Sequence, residues 1–331
     1  MSAVEPVTTD AAAATPGRRS GGISRVLVEY AICLVLVAVV VIATALDGGF
    51  IHGENLKAVL VQSAPVGIVA AGMTLVVIAG GFDLSVGAIF AGGAVLFPAL
   101  SNKQPLLIAA GLVLLAGAAA GAVNGLLVTR VRVNPFVATL GTGSVYGGVV
   151  YLGSNSTPVT ATKASFSALG NNTILGVPAA VVVLAVVLVV GGVVLARTIY
   201  GRSIYAIGGN DEAARLAGLR VDVLRGSTYV VSGVCAALGG MILASRLGVG
   251  QGDLSGTVAL DAIAIVVLGG TSLLGGEGAM WRTAVGLLVL ATLNNVLDSY
   301  ALNSNWQSVV KGLVLIAAVA FDALSRTRRR R

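Results

Sequence analysis

The sequence predicts an all-α protein that crosses a membrane about ten times, and three observations carry this prediction. Hydrophobic residues make up 56% of the 331 residues and charged residues only 11%, whereas a soluble domain carries about 25% charged residues. The apolar residues form long runs that are separated by short polar or Gly/Pro breaks. Most basic residues lie at the termini or in every second break. Because backbone groups in hydrocarbon must be satisfied within their own segment, the runs are predicted to be helices, and the alternation typical of a membrane barrel is absent.

The first apolar run, 26–46, is predicted to be a retained membrane helix. Arginines precede it and Ala43-Thr44-Ala45 resembles a cleavage site, so a signal peptide is the alternative. The run is longer than a signal-peptide core and matches the ~20 residues that cross the hydrocarbon. Residues 1–22 are rich in Ala, Thr, Gly and Pro without a hydrophobic pattern, which predicts a disordered cytoplasmic tail.

Further apolar runs complete a predicted membrane domain over residues 23–325, with a basic cytoplasmic tail at 326–331. Two of the runs, 85–100 and 258–271, are short enough to be tilted, broken or re-entrant. The runs after the first are 57–79, 85–100, 106–128, 135–153, 175–196, 224–246, 258–271, 280–298 and 306–324.

The basic residues predict the orientation of the chain. Counted from the N-terminus, 16 of the 21 Lys and Arg residues lie at the termini or in the even-numbered breaks, four lie in the other breaks, and Lys311 lies within the last run. Membrane proteins concentrate Lys and Arg in cytoplasmic loops. Both termini and the loop 197–225 are therefore predicted to be cytoplasmic, and the loop 153–173 external. Orientation in the bilayer also explains the net charge of +7 better than nucleic-acid binding does.

Two short matches predict an internal repeat. The run Val76–Gly81 resembles Val266–Gly270, and Asn124 followed by Phe136 resembles Asn294 followed by Trp306 at the same spacing. On this basis helices 2–5 are predicted to correspond to helices 7–10. An offset of five spans reverses the orientation of a segment in the membrane, so the predicted repeat is inverted, as in many transporter folds.

Polar groups inside the apolar runs are the candidates for function. Asp83 and Ser85 lie in the break Gly80–Gly87, and a carboxylate at the centre of a spanning helix costs about 2.5–3.5 kcal/mol on insertion scales. Asp83 can cap a helix that begins near Leu84, line a transport route, or do both. Asp261 and Lys311 could neutralise each other, and the amides of Asn294 and Asn295 could join helices or bind a solute.

The residues argue against an enzyme. No paired carboxylates, no nucleophile beside a base and no metal-ligand cluster are found, and Cys33 and Cys235 both lie inside apolar runs. The Gly-rich segment 269–278 lacks the Gly-Lys-Ser/Thr ending of a phosphate-binding loop. This segment is predicted to be a hinge or a re-entrant turn, and no cofactor or metal is predicted on the chain.

The charged segment 208–218 stands apart from the surrounding apolar sequence. Glu212 and the residues up to Ala217 are helix formers, Asn210 or Asp211 can cap the start, and Gly218 marks the end. A helix this short is unstable alone in water. It must therefore dock on the rest of the chain or on a soluble partner, with a connector on the membrane surface as the alternative.

Several motifs occur together and in one order along the chain: Gly72–Val76 leading into Gly80–Gly87, Val133–Gly141, Gly201–Asn210, Leu260–Ala264 with Gly269–Ser272, and Asn294-Asn295. With them the chain resembles, over about 300 residues, the permease subunits of bacterial ABC importers of the ribose, xylose, arabinose and galactose type. The resemblance implies a permease of the bacterial cytoplasmic membrane. It also implies a homodimer, or a pair with a related permease, around one pathway in the bilayer.

The resemblance further implies that a separate cytoplasmic ATPase binds ATP and Mg and docks on the segment 208–218. A sugar-binding protein would dock outside. Asp211 stands where the resemblance would place Pro. The expected ATPase-coupling residues are Gly209, Asn210, Asp211, Glu212, Ala213, Ala214, Arg215 and Gly218. The candidates for the translocation pathway or gate are Asp83, Ser85, Asn134, Phe136, Asp261, Asn294 and Asn295.

The alternative function is an ion-coupled secondary transporter that uses Asp83 or Asp261 as its coupling site. Uptake in vesicles that hold an ion gradient but no ATP would favour it. The residues do not select the solute, and a pentose, hexose, polyol, nucleoside or sugar-like signal molecule all remain open.

Overall fold

The computed structural model describes residues 30–255 and 257–329, and each predicted apolar run contains a helix, although residues 175–178 belong to a β-hairpin and residues 269–271 to a loop. Residues 26–29 of the first run, the predicted tail 1–22 and Arg330 and Arg331 lie outside the described residues. The α-helices are α1 (Ala31–Leu46), α2 (Gly53–Ile78), α3 (Val86–Ser101), α4 (Leu106–Thr129), α5 (Pro135–Gly153), α6 (Ala168–Asn171), α7 (Ala179–Arg197), α8 (Ile199–Gly209), α9 (Asp211–Leu216), α10 (Val221–Leu247), α11 (Val258–Leu268), α12 (Met280–Ser299) and α13 (Ser304–Arg329).

The helices are those of a polytopic all-α membrane protein. Six of the described helices, namely α2, α4, α5, α7, α10 and α12, are long and apolar enough to cross a membrane, and α1, α3 and α11 are shorter apolar helices. Helix α11 has 11 residues and is about 16 Å long, against about 30 Å of hydrocarbon. The short runs predicted at α3 and α11 are thus short helices, and the number of ten crossings stays a prediction. Helix α13 continues to Arg329, so most of the predicted basic tail is helical.

Helix α10 lies at the centre of the bundle, where it packs against α4, α3 and α2. Glycines make this packing close. A Cβ atom on Gly121 of α4 would lie 2.1 Å from the carbonyl oxygen of Tyr229, and one on Gly240 of α10 would lie 2.0 Å from the carbonyl oxygen of Phe90. Small residues at such crossings let membrane helices approach through their backbones.

We expect Gly121→Ala to lower the thermal unfolding midpoint of the detergent-purified protein. The added methyl group meets backbone that cannot rotate away, and overpacking of this kind costs about 1–3 kcal/mol. Gly111→Ala on the same helix is the matched control, because a Cβ atom there meets nothing within 4 Å. Equal midpoints for the two variants would contradict the packing described for α4 and α10.

The loops gather at two ends of the bundle. At one end, β1 (Val159–Thr160) pairs antiparallel with β4 (Val249–Gly250), and Nδ2 of Asn102 donates to the carbonyl of Thr160 at 2.9 Å. These three segments follow α5, α10 and α3, and the distribution of basic residues predicts that all three lie on the external side of the membrane. A hairpin of β2 (Thr173–Ile174) and β3 (Val177–Pro178) lies in the same long loop.

The two sequence matches fall on different helix pairs. The match of Val76–Gly81 with Val266–Gly270 joins the ends of α2 and α11, the second and eighth predicted spans. The match of Asn124 with Asn294 joins α4 and α12, the fourth and ninth. Only the second match fits the predicted offset of five spans. The first reflects a shared helix ending, since Gly80 and Gly270 both take a positive φ after a helix, and the inverted repeat stays a prediction.

Candidate functional sites in the bundle

Asp83 lies in the turn between α2 and α3 and is fully buried. Its Oδ1 atom accepts hydrogen bonds from the hydroxyl of Ser85 at 2.6 Å and from the backbone N–H of Ser85 at 3.2 Å. Its Oδ2 atom accepts from the hydroxyl of Ser232 on α10 at 2.9 Å. Helix α3 begins at Val86 and Ser85 is its N-cap residue, so Asp83 does not cap the helix as predicted. It orders the turn directly before α3 and ties that turn to the central helix.

The hydrogen bonds continue from Asp83 into α4 and α5. Nδ2 of Asn124 donates to the Ser85 hydroxyl at 2.6 Å, and the hydroxyl of Thr142 donates to Oδ1 of Asn124 at 2.6 Å. All these polar side chains are buried. A buried polar network is stable only when its members are satisfied, and here hydroxyl and amide donors surround the charge.

Sequence reasoning singled out Asp83, Ser85 and Asn124 but missed Ser232 and Thr142. Hydroxyl residues are common in membrane helices, where they usually bond within their own helix. No local signal therefore separated Ser232 from other serines, since its partner lies 149 residues away along the chain.

Asp261, Asn294 and Asn295 lie together, far along the chain from the Asp83 network. They border a cavity of about 60 Å³ between α2, α11 and α12. Nζ of Lys311 on α13 lies 3.5 Å from Oδ2 of Asp261, so these two charges neutralise each other as the sequence suggested. The cavity is lined by Val59, Gln62, Ser63, Val66, Asp261, Ile265, Leu287, Leu290, Ala291, Asn294 and Asn295.

Asn134 and Phe136 occupy a third place, at the start of α5. Oδ1 of Asn134 accepts from the N–H of Phe136 at 3.0 Å, and Pro135 occupies the first helical turn, where its missing N–H costs nothing. The Phe136 side chain is 53% exposed. The seven pathway candidates thus divide into the Asp83 network, the Asp261 cavity and this helix start.

The charged segment forms the predicted short helix. Oδ1 of Asn210 accepts from the N–H of Ala213 at 3.0 Å and caps α9, and Gly218 follows the helix with a φ of 81°. Ala214 is buried against Ile207 and Val221. One side of α9 therefore docks on the chain itself.

The other side of α9 faces outward. Glu212, Ala213 and Ala217 are exposed, and Leu216 is 90% exposed. Arg215 donates a hydrogen bond to Asp222 of α10, and this bond raises the pKa of the Arg215 guanidinium. Helix α9 thus presents an exposed leucine and an exposed carboxylate on the side opposite its packed face.

Backbone contacts join the end of α8, directly before α9, to the end of α2 and to the loop between α11 and α12. The N–H of Gly276, in the loop between α11 and α12, donates to the carbonyl of Ile78 at the end of α2, at 2.9 Å. A Cβ atom on Gly208 would lie 1.8 Å from the same carbonyl oxygen, and one on Gly276 would lie 2.8 Å from the Cα atom of Gly209. Three backbone segments therefore meet directly before α9 begins, and we call this place the glycine junction (Ile78–Gly80, Gly208–Gly209 and Gly275–Gly276).

Arg225 of α10 adds a side-chain link at the same end. Its Nε atom donates to the carbonyl of Ala79 at 3.1 Å, and its Nη1 atom lies 3.5 Å from Oδ2 of Asp211. Asp211 therefore joins α9 to α10. Sequence reasoning missed Arg225 because a loop arginine in a basic, cytoplasmic segment is expected from orientation alone.

Within residues 30–255 and 257–329, no three His, Cys, Asp or Glu side chains lie close enough together to hold a metal ion. The polar groups of the bundle instead join helices, border a small cavity or lie on the exposed side of α9 at one end.

Comparisons with known proteins identify the family. Residues 55–319 match a family model described as the permease component of a branched-chain amino acid transport system.

The ribose import permease protein of Bacillus subtilis is 40% identical over 291 residues, which cover 87% of this chain and 90% of the relative. The L-arabinose ABC transporter permease protein of Azospirillum brasilense is 32% identical, with 96% and 94% covered. The xylose transport system permease protein of Escherichia coli is 30% identical, with 99% and 100% covered. No solved structure matches. The chain therefore belongs to this family of permease components and is a membrane subunit of an ATP-driven (ABC) importer, not an enzyme.

Proposed function

We propose that this permease carries a sugar or sugar-like solute across the cytoplasmic membrane by alternating access, and that a separate ATPase subunit drives it from α9. Relatives that align over nearly their whole length are named for the import of ribose, arabinose and xylose. The geometry of α9 supports the proposed coupling to the ATPase. One side of α9 packs on the chain, while Glu212 and Leu216 face outward. ATP and Mg belong to the ATPase.

The orientation follows from charge. The end of the bundle that holds α9, Arg225 and Arg282 is the one that the arginines assign to the cytoplasm. The opposite end carries the β2–β3 hairpin, where Leu175 at the turn is fully exposed. An apolar tip on a fixed hairpin supports docking of an external solute-binding protein there. A second permease copy would complete the pathway.

We infer that contacts of Asp211 take the place of the Pro that the resemblance would place there. A Pro at the first helical position fixes the backbone, whereas Asp211 holds the start of α9 through Arg215 and Arg225, each 3.5 Å away. A carboxylate in the first helical turn also interacts favourably with the helix dipole. In this chain, ionic contacts replace a rigid ring.

Ion-coupled transport is not favoured. Both carboxylates that it would use have partners in the chain, Asp83 in its hydroxyl and amide network and Asp261 beside Lys311. Membership of the permease family also points to ATP as the energy source.

The coupling contact is tested by Glu212→Arg in the assembled transporter. We expect at least a tenfold loss of ATPase subunit that co-purifies with the permease, because the substitution reverses the charge on the exposed face of α9. Glu54→Arg is the matched control, since Glu54 is also exposed but lies in the first turn of α2, at the end of the bundle opposite to α9. Undiminished co-purification with Glu212→Arg would contradict the proposed contact.

A further inference from the structure

We propose that the Asp261 cavity is one half of a solute site for a neutral polyhydroxylated molecule, and that a second copy of this chain supplies the other half. This inference rests on the proposed function. It names the residues that contact the solute, and neither the fold nor the names of the relatives identify those residues.

The polar groups of the cavity lie deep within their helices. Gln62 lies nine residues after the start of α2, about 14 Å into the helix, and Lys311 lies seven residues after the start of α13, about 10 Å into it. The hydrocarbon is about 30 Å thick. The polar groups therefore sit well inside the membrane, at the depth where transporters bind their solutes.

Gln62 indicates what borders this face of α2. Its side chain is exposed although its helix is apolar and long enough to span the bilayer. An amide that faced lipid would lose its hydrogen bonds to water without replacement, which is strongly unfavourable. This face of α2 therefore borders water or another protein, and the solute pathway between two permease copies satisfies both conditions.

The polar groups of the cavity match hydroxyl groups. Asp261 offers carboxylate oxygens and Gln62 can donate and accept. Lys311 is not part of the cavity wall and contacts Asp261. Oδ1 of Asn294 is buried and has no hydrogen-bond partner within the described part of the chain. Because Asp261 and Lys311 cancel each other's charge, the site favours a neutral solute over an anion or a cation.

Asn295 does not share this role. It exchanges two hydrogen bonds with Asn55 of α2, at 3.0 and 3.1 Å, so its amide is used to join α12 to α2. Two adjacent asparagines on one helix therefore have different roles, one structural and one available to a solute.

The volume explains why a second copy is needed. About 60 Å³ is well below the 300–1,000 Å³ of a typical ligand pocket, so one chain can contact only one side of a sugar. Two copies related by symmetry would place two such half-sites around one pathway.

The test compares Asn294→Leu with Asn295→Leu, in cells that keep their own ATPase and binding protein and lack the chromosomal permease gene. Labelled ribose, arabinose and xylose are the probes, and uptake is divided by the amount of permease in the membrane. For Asn294→Leu we expect uptake to fall at least tenfold while the thermal unfolding midpoint is unchanged or higher, since an unpaired buried acceptor is removed. For Asn295→Leu we expect a lower midpoint, because Asn55 loses its partner.

A second variant guards against a local packing effect. Gln62→Leu changes an exposed side chain, so it should leave folding intact and still lower uptake at least tenfold. Uptake within twofold of wild type in both Asn294→Leu and Gln62→Leu would overturn the proposal, as would a fall in the midpoint of Asn294→Leu equal to that of Asn295→Leu. If the wild type accumulates none of the three sugars, the proposed function fails for pentoses, and with it the inference that this site takes a pentose. If the wild type accumulates a sugar and the variants do too, the inference alone fails.

Discussion

Replacing Asp83 by leucine should remove most of the folded permease from the membrane. The substitution takes the acceptor away from the hydroxyls of Ser85 and Ser232 and from the backbone N–H of Ser85, directly before α3. Each buried donor left unpaired costs about 1–3 kcal/mol, and proteins are stable by only about 5–15 kcal/mol. Membrane immunoblots and the thermal unfolding midpoint of the purified protein would measure the loss.

Asp83→Asn is the matched control and also separates two functions. The Asn side chain keeps one carbonyl acceptor, and the serine hydroxyls can rotate to accept from its amide, so this variant should fold. If Asp83 stabilises the turn, ATP-dependent uptake by Asp83→Asn should stay within about threefold of wild type, a range of roughly 0.7 kcal/mol at the 1.4 kcal/mol per tenfold change. A leucine variant as stable as wild type would contradict the structural role, and complete loss of uptake in a well-folded Asn variant would contradict it too.

Replacing Arg225 by alanine should uncouple ATP hydrolysis from uptake. The variant loses the hydrogen bond to the Ala79 carbonyl and the contact with Asp211, so α9 is no longer joined by that side chain to the end of α2. The exposed face of α9 keeps its residues, and the ATPase should still co-purify. We expect uptake to fall about tenfold while ATP hydrolysis by the complex continues.

Arg220→Ala is the control for Arg225→Ala, because Arg220 is an exposed arginine of the same segment and its removal changes the charge equally. Two results would count against the Arg225 link. One is uptake at the wild-type level in Arg225→Ala. The other is a loss of bound ATPase that accounts for all of the lost uptake.

Local properties of the sequence predicted much of the fold. Apolar run length and its breaks predicted helices close to those observed, including the short α3 and α11, because membrane helices must satisfy their backbone within the segment. The start and end of α9 were also predictable, since capping by Asn210 and termination at Gly218 depend on a few neighbouring residues.

Long-range contacts could not be predicted in the same way. Ser232 pairs with Asp83 across 149 residues, and Asn55 pairs with Asn295 across 240. Such partners depend on which helix faces are adjacent, and a single sequence holds no direct signal of that. The glycine junction was hidden for the same reason, because Gly208 and Gly276 resemble any other glycine of an apolar membrane chain until their backbones are seen in contact.

The arrangement suggests how energy from ATP would reach the solute. Helix α9 lies next to the glycine junction and is linked through Arg225 to Ala79, so a displacement of α9 acts on the turns after α2 and α11. The first of these turns holds the Asp83 network, and α11 itself carries Asp261 of the proposed solute site. Close-packed segments transmit strain to one another, so we expect a displacement at the glycine junction to reach both turns.

Uptake by proteoliposomes whose membrane contains the permease and its ATPase tests the central claim most directly. Labelled ribose, arabinose or xylose is supplied outside with the binding protein, and ATP is enclosed inside or omitted. We predict accumulation that requires both ATP and the binding protein and that persists when ionophores collapse the proton and sodium gradients. Accumulation driven by an imposed ion gradient without ATP would contradict the account and assign the energy source to ion coupling.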